Sequence, residues 1–184
     1  MSYIILDRDG VINHDSRQYI KTPDEWIAIP RSLEAIATLN RAGFRVIVAT
    51  NQSGVARGFY DVPMLDQIHE KMANELAAVG GYVEEIFFCP HHPDEACGCR
   101  KPQPGMIHAI QEKYNLSLPN TFFVGDSFAD MGAASAAGCK PLLVLTGNGH
   151  LTLEHNPEFS SIPKFADLSE AVQYVLSAQH PSRD

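Results

Sequence analysis

The sequence predicts an α/β fold, a doubly wound parallel sheet with helices on both faces. Two observations carry that prediction. Short continuous apolar runs alternate with amphipathic helical patterns along the chain, as they do when strands buried on both faces are joined by crossover helices. Acidic, hydroxyl and basic residues stand directly after those runs, at the place where open α/β sheets receive their ligands.

Taken in order, residues 3–6 read as the first buried strand. Ser32 is the expected N-cap of a helix with Leu33, Ile36 and Leu39 on one face and Gly43 as its stop. The apolar run 44–50 gives the second strand. Asp61 and Pro63 open another helix, whose stripe of Leu65, Ile68, Met72, Leu76 and Val79 ends at Gly80 and Gly81. The third strand is expected over 83–88, a helix over 104–114 and the fourth strand over 121–124. A small-residue helix over 128–137 stops at Gly138, a fifth strand covers 141–145, and the last helix begins near Asp167. Cys139, beside Gly138, is expected in the core.

At 184 residues, 45% hydrophobic and 20% charged, the chain reads as one domain over 1–184, large enough for a core that buries roughly 70% of the unfolded surface. No apolar run reaches the roughly 18 to 20 residues of a spanning helix. The first six residues lack the basic region of a secretion signal. A cytoplasmic protein with no membrane partner is therefore expected. Fourteen Lys and Arg against 22 Asp and Glu give a net charge of -8, which repels nucleic acid at long range. Nothing resembles a coiled-coil seam, so a monomer is expected.

Asp7-Arg8-Asp9-Gly10 follows the first strand, Thr50-Asn51-Gln52 the second, Arg100-Lys101-Pro102 the loop after the third, and Gly125-Asp126-Ser127 the fourth, with Asp130 nearby. Three carboxylates with a lysine and a threonine suit phosphoryl transfer, which needs a divalent cation on oxygen ligands, an anionic nucleophile and donors for the phosphate oxygens. Magnesium offsets the repulsion between carboxylate and phosphate, while Lys101 and the Thr50 hydroxyl neutralise charge in the transition state. Asp7 is the better nucleophile because it ends a buried strand and has a rigid backbone. Asp9, in a loop opened by Gly10, can swing to protonate the leaving oxygen and later deprotonate water.

Asp7-x-Asp9-Gly10-Val11-Ile12-Asn13, Thr50-Asn51-Gln52-Ser53-Gly54, Arg100-Lys101-Pro102 and Gly125-Asp126-x-x-x-Asp130 resemble, in order, the four motifs of the haloacid dehalogenase superfamily of phosphatases. Their wording is similar to that of its sugar bisphosphate phosphatases, whose relatives include histidinol-phosphate phosphatases. The resemblance implies Asp7 as nucleophile, Asp9 as general acid and base, and magnesium held by Asp7, the Asp9 backbone carbonyl and Asp126. It implies phosphate contacts from Thr50, Asn51 and Lys101, and a substrate-recognition role for Arg100, whose guanidinium fork matches a second phosphate. Asp130 is either a supporting acid or a direct ligand. Many superfamily members insert a cap domain, but the segments between strands here each hold a single helix, so a capless form is expected. Specificity then falls to loops after Asn13, Gln52 and Cys89. Asp15, Ser16, Arg17 and Gln18 occupy the place of a loop that offers polar groups to the sugar, and Gln52 and Ser53 stand beyond the phosphate donors.

Cys89, His91, His92, Cys97 and Cys99 lie within eleven residues, and three thiolates with one imidazole suit a tetrahedral structural zinc site. Spacing alone does not choose between the two histidines; the resemblance points to His91. A Cys97–Cys99 disulfide or free thiols are the competing readings. The expected substrate is a small sugar bisphosphate. Histidinol phosphate is the competing substrate, and a receiver-like phosphoacceptor domain is the competing class. A receiver places its phosphoacceptor after a later strand than its acidic pair, whereas here the Asp-x-Asp pair supplies nucleophile and acid together.

Overall fold

The computed structural model describes residues 2–179. Six parallel strands form one sheet in the order β3-β2-β1-β4-β5-β6. They are β1 (Ser2–Leu6), β2 (Phe44–Asn51), β3 (Glu85–Cys89), β4 (Phe122–Gly125), β5 (Lys140–Val144) and β6 (Lys164–Phe165). The helices are α1 (Ser32–Arg41), α2 (Val62–Ala78), α3 (Gly105–Tyr114), α4 (Phe128–Ala137), α5 (Gly149–His155) and α6 (Leu168–Gln179). None of the helices searched among the described residues is long and apolar enough to cross a membrane.

Strand alternation splits the core into two layers. Ile4, Leu6, Val46, Val48 and Val124 face Leu33, Ile36 and Leu39 of α1, Ile68, Met72 and Leu76 of α2, and Val172 and Val175 of α6. Ile5, Ile47, Ala49 and Phe123 point the other way, against Met106, Ile107 and Ile110 of α3 and Ala133 and Ala134 of α4. Cys139 is in that second layer, as expected. Strands sandwiched in this way need apolar side chains at every position, which is why they read as continuous runs.

Strand order reverses at β1, which pairs with β2 through Leu6 and Val48 on one side and with β4 through Leu6 and Val124 on the other. Asp7 and Asp126, the residues just beyond β1 and β4, therefore flank the switch point where such a sheet opens a crevice. Residues 7–31 contain turns and a short helical turn at Pro23–Glu25, and no inserted domain.

Three expectations need correction. Ser32 is the first helical residue, not the cap; Arg31 caps α1 in the left-handed region at φ 69°. The Ser32 hydroxyl donates to the carbonyls of Ile12 and Ile29 instead, tying α1 to the loop after β1. β6 is two residues long and α5 seven, too short for a periodic signal, and both went unread. The other strands are displaced by one or two residues, as at β3, which starts at Glu85. The α2 boundary is as expected, with the Asp61 carboxylate accepting from the Met64 N–H at 2.9 Å.

Candidate active site

A polar cavity of about 240 Å³ opens at the switch point, lined by Asp7, Asp9, Thr50, Lys101, Asp126 and Arg100 among others. All four motif segments thus reach one site. Their separation in sequence is overcome because β1, β2 and β4 are neighbours that end at one edge.

Asp7 is held first by its own chain: Oδ1 accepts from the Arg8 N–H at 2.7 Å and lies 2.9 Å from Lys101 Nζ. Its Oδ2 takes no hydrogen bond among the described residues. Lys101 is buried, and its ammonium also donates to Asp130 at 2.6 Å and to the Ala49 carbonyl at 2.7 Å. Burial works against the ammonium, but the charges of Asp130 and Asp7 outweigh it and raise its pKa. Burial, reinforced by Asp130, pushes Asp7 up to about 7 despite Lys101. Asp126 is driven well above the carboxylate range by burial and by the charges of Asp130 and Asp7. Asp130 goes the other way: burial opposes its charge, yet Lys101 and Ser127 hold it below the ordinary value.

Asp7, Asp126 and Asp130 each bring a carboxylate oxygen within 4.8 Å of the others. They differ in what remains available. Asp130 is saturated, with Lys101 on Oδ1 and the N–H groups of Asp126 and Ser127 and the Ser127 hydroxyl on Oδ2. Asp126 accepts on Oδ2 from Asn148, through backbone at 2.7 Å and side chain at 3.3 Å, leaving Oδ1 without a hydrogen bond among the described residues. The donor set of Asp7 and Asp126, two acids that burial makes costly to ionise, fits a hard divalent cation. The backbone is shaped around Asp126: a Cβ on Gly10, at φ +80°, would lie 2.1 Å from its Oδ2.

Asp9 accepts from Asn13 at 2.8 Å, from Gln52 at 2.9 Å and from Arg8. Gln52 also donates to Thr50 Oγ1 at 2.9 Å and accepts from the Tyr60 hydroxyl at 2.6 Å. Because that bond uses the oxygen of Thr50 as acceptor, its hydroxyl proton is left to donate elsewhere. Asn51 lines the cavity, but its amide is engaged by the Lys101 backbone, donating to O at 3.0 Å and accepting from N at 3.1 Å. Asn51 and Gln52 both line the cavity, and their side chains also hold neighbouring residues in place. Ser53 also lines the cavity. So do Asp15 and Ser16, while Arg17 and Gln18 of that loop are exposed and stand outside the lining. Arg100 lines it with Nη1 buried and without a hydrogen-bond partner among the described residues.

Ser127, from the segment after the fourth strand, also lines the site, as do Tyr19, Tyr60 and Asn148, which the sequence reading does not single out. Asn148 follows β5, so the strand-end rule that found the other segments applies to it equally; it bridges Asp126 and Asp15, donating to the latter at 3.0 Å.

Beyond β3, Cys89, His91, Cys97 and Cys99 form a second cluster. Sγ–Sγ separations are 3.1 to 3.5 Å, and His91 Nδ1 lies 3.2 Å from Cys99 and 3.5 Å from Cys89. A tetrahedral zinc with three sulfurs and one nitrogen has edges of roughly 3.5 to 3.8 Å, so the cluster fits one. All four cysteines are free. His92 is half-buried and outside the cluster, closing the turn at Pro93–Glu95: its Nδ1 accepts from the Asp94 N–H and its own N–H donates to the Glu95 carboxylate. His91 is the histidine of the cluster.

Residues 98–171 match the HAD-hydrolase-like family model. A Bordetella bronchiseptica protein named D-glycero-beta-D-manno-heptose-1,7-bisphosphate 7-phosphatase is 56% identical over 178 residues, covering 96% of this chain and 98% of its own. A Pseudomonas aeruginosa protein of the same name is 56% identical over 95% of this chain and 98% of its own. A crystal structure of D,D-heptose 1,7-bisphosphate phosphatase from B. bronchiseptica, complexed with magnesium and phosphate, superposes with a TM-score of 0.94 at 49% identity, covering 97% of this chain and 99% of that one. With this identity running over nearly the whole of both chains, and the acids, threonine and lysine of the four motifs assembled at one crevice, the chain belongs to the D-glycero-beta-D-manno-heptose-1,7-bisphosphate 7-phosphatase family of HAD-like hydrolases.

Proposed function

We propose that this chain is a magnesium-dependent phosphatase that removes the 7-phosphate of D-glycero-β-D-manno-heptose 1,7-bisphosphate through an aspartyl phosphate, leaving heptose 1-phosphate. The observation that carries the reading is Asp7: one oxygen is clamped by Lys101 and the Arg8 N–H, and the other, among the described residues, takes no hydrogen bond in a polar cavity. A carboxylate fixed in this way is poised to attack phosphorus. The choice of sugar and of the β anomer follows the names of the relatives at 56% identity.

In the first half-reaction Asp7 Oδ2 forms a bond to phosphorus as the bond to the sugar O7 breaks. Asp9 delivers a proton to that oxygen as it takes the electron pair. The Thr50 hydroxyl and Lys101 ammonium stabilise the equatorial oxygens. In the second half-reaction Asp9 takes a proton from water as water attacks phosphorus, and the bond to Asp7 breaks to release phosphate. Magnesium would be held by Asp7, the Asp9 backbone carbonyl and Asp126, and when bound it supplies the positive charge that lets a carboxylate approach a phosphate. A contact from Arg100 to the substrate's second phosphate is supported by its Nη1, which lacks a hydrogen-bond partner among the described residues. Contacts from Asp15 and Ser16 to sugar hydroxyls are supported by their place in the cavity lining.

Cys89, His91, Cys97 and Cys99 would hold zinc with no coordination position left for water, which makes that ion structural. We further read the chain as a single catalytic domain acting in the cytoplasm on a small phosphosugar. The test is phosphate release with magnesium from both heptose 1,7-bisphosphate anomers beside histidinol phosphate. Preference for the β anomer with heptose 1-phosphate as product is expected. Preference for histidinol phosphate would keep the chemistry and overturn the substrate.

A further inference from the structure

Arg8 stands between the two acids of the first motif, and the mechanism above gives its side chain no task. That side chain is fully buried, at 0% exposure. A guanidinium in such a place must find acceptors for its donors, or the fold is destabilised. Two of its nitrogens face Asp9: Nε is 3.1 Å from Oδ1, and Nη2 is 2.9 Å from Oδ1 and 3.0 Å from Oδ2. Arg8 is the cation that pairs with Asp9 among the described residues. Its third nitrogen, Nη1, lies 3.1 Å from Nε2 of His69.

His69 is out of character with its surroundings. It lies on α2 between Leu65, Ile68 and Met72, all buried, and is itself 9% exposed, with the Phe88 ring centred 6.4 Å away. A polar ring on the apolar face of a helix calls for a partner. Arginine has only donors, so the contact requires Nε2 of His69 to be the unprotonated acceptor. Burial and, next, the charge of Arg8 push the His69 pKa down to about 3, which keeps the imidazole neutral.

We propose that Arg8 and His69 are a positioning pair for Asp9, in which His69 fixes the guanidinium from α2 and the guanidinium fixes the orientation of the Asp9 carboxylate. The chain of contacts runs from a core helix through a rigid planar fork to the group that exchanges protons at the site. Two further donors, Asn13 and Gln52, complete the hold on Asp9, but both come from the loops around the cavity. The Arg8–His69 pair anchors Asp9 to the packed core. The inference rests on the reading of Asp9 as general acid and base.

The test compares wild type with His69→Leu, which removes the acceptor, and His69→Gln, which restores one. Each is assayed on heptose 1,7-bisphosphate, whose departing alkoxide needs a proton, and on p-nitrophenyl phosphate, whose departing phenolate does not. kcat/KM reports the steps through the first irreversible one, formation of the aspartyl phosphate. For His69→Leu it should fall roughly ten- to a hundredfold on the sugar substrate and less than about threefold on the aryl phosphate. His69→Gln should stay within about threefold of wild type on both, because the acceptor is restored. Equal losses on the two substrates, or no loss on either, would overturn the proposal. A crystal structure of His69→Leu decides the matter independently of turnover: the Asp9 carboxylate should leave its present hydrogen bonds, and an unmoved Arg8–Asp9 pair contradicts the pairing. If wild type releases no phosphate from the sugar substrate, the functional reading fails while this structural arm still judges the positioning pair.

Discussion

The two ligand clusters, carboxylates at the switch point and thiolates with an imidazole beyond β3, are built on different principles. The first is placed by the sheet. Asp7 and Asp126 follow adjacent parallel strands, and Lys101 supplies a cation that already bridges Asp7 and Asp130 at 2.9 and 2.6 Å. The second sits in a loop whose described structure is one helical turn at Pro93–Glu95. There only Cys89 lies on a strand, and the cluster itself is made of three thiols and an imidazole, with no lysine or arginine among its members. A site with its own counter-charge is organised by the fold; a site of donors alone is organised by its ion. The two meet at Arg100 and Lys101, since the loop that leaves Cys99 runs straight into the lysine, and Asn51 clamps that lysine's backbone to the end of β2.

The largest effect should come from Asp7→Asn. Phosphate release is expected to fall by roughly 10⁴-fold or more, the scale of losing a nucleophile. Thermal unfolding of the metal-free variant should begin no lower than for wild type, because burial already disfavours the charge that is removed and raises the Asp7 pKa to about 7 in the fold. A large drop in Tm would mean that Asp7 is held more favourably than its surroundings imply.

Lys101→Met attacks the counter-charge of the first cluster and should show in both activity and stability. Loss of one fixed cation at the phosphoryl group should lower kcat by roughly 10²- to 10³-fold. Leaving Asp7 and Asp130 buried without their partner should cost about 3 to 5 kcal/mol, read by urea unfolding. A variant as stable as wild type would show that Asp130 finds another donor.

Cys99→Ala probes the second cluster. Bound zinc should fall from one equivalent to none by elemental analysis, and Tm by roughly 5 to 10 °C, about 2 to 3 kcal/mol for a chain of this size. Activity should fall less than in Lys101→Met, because Asn51 still holds the lysine backbone. Unchanged zinc content would break the comparison at its root.

The smallest effect belongs to a pair outside both clusters. Lys113 and the Tyr114 hydroxyl, each at 2.7 Å, hold Glu85 below its ordinary pKa. A carboxylate with a depressed folded-state pKa adds stability above its unfolded value and loses it as pH falls through the folded one. Glu85→Gln should therefore cost less than about 1 kcal/mol at pH 7. The difference should shrink as pH drops below about 4.5. A difference independent of pH would assign it to packing.

What the sequence made legible is what the sheet positions. Asp7, Thr50 and Asp126 are legible because a strand end fixes a residue's place without knowledge of side-chain contacts, and Lys101 is legible from the Arg100-Lys101-Pro102 motif that closes the loop after β3. Side-chain partnerships were not legible, since they depend on which rotamers meet across the crevice. Gln52 and Asn51 line the cavity as expected of substrate-contacting residues, but their side-chain bonds to Asp9, Thr50 and Lys101 could not be read from the sequence. Tyr60 and Tyr19 stand in loops with no periodic signal, Tyr19 in the left-handed region at φ 67°. Two signals were present and unread. Asn148 follows a strand like the other site residues, and His69 falls among Leu65, Ile68, Met72 and Leu76 at the spacing of a buried helix face, where a polar residue asks for a partner.

The most direct test of the central claim is acid quenching of the enzyme during turnover of heptose 1,7-bisphosphate with magnesium, followed by peptide mapping of the phosphorylated chain. Phosphate should appear on the peptide that carries Asp7, at that residue, and vanish in Asp7→Asn. A phosphorylated residue elsewhere, or turnover that proceeds with no phosphorylated enzyme at any quench time, would contradict the assignment of Asp7 as the nucleophile.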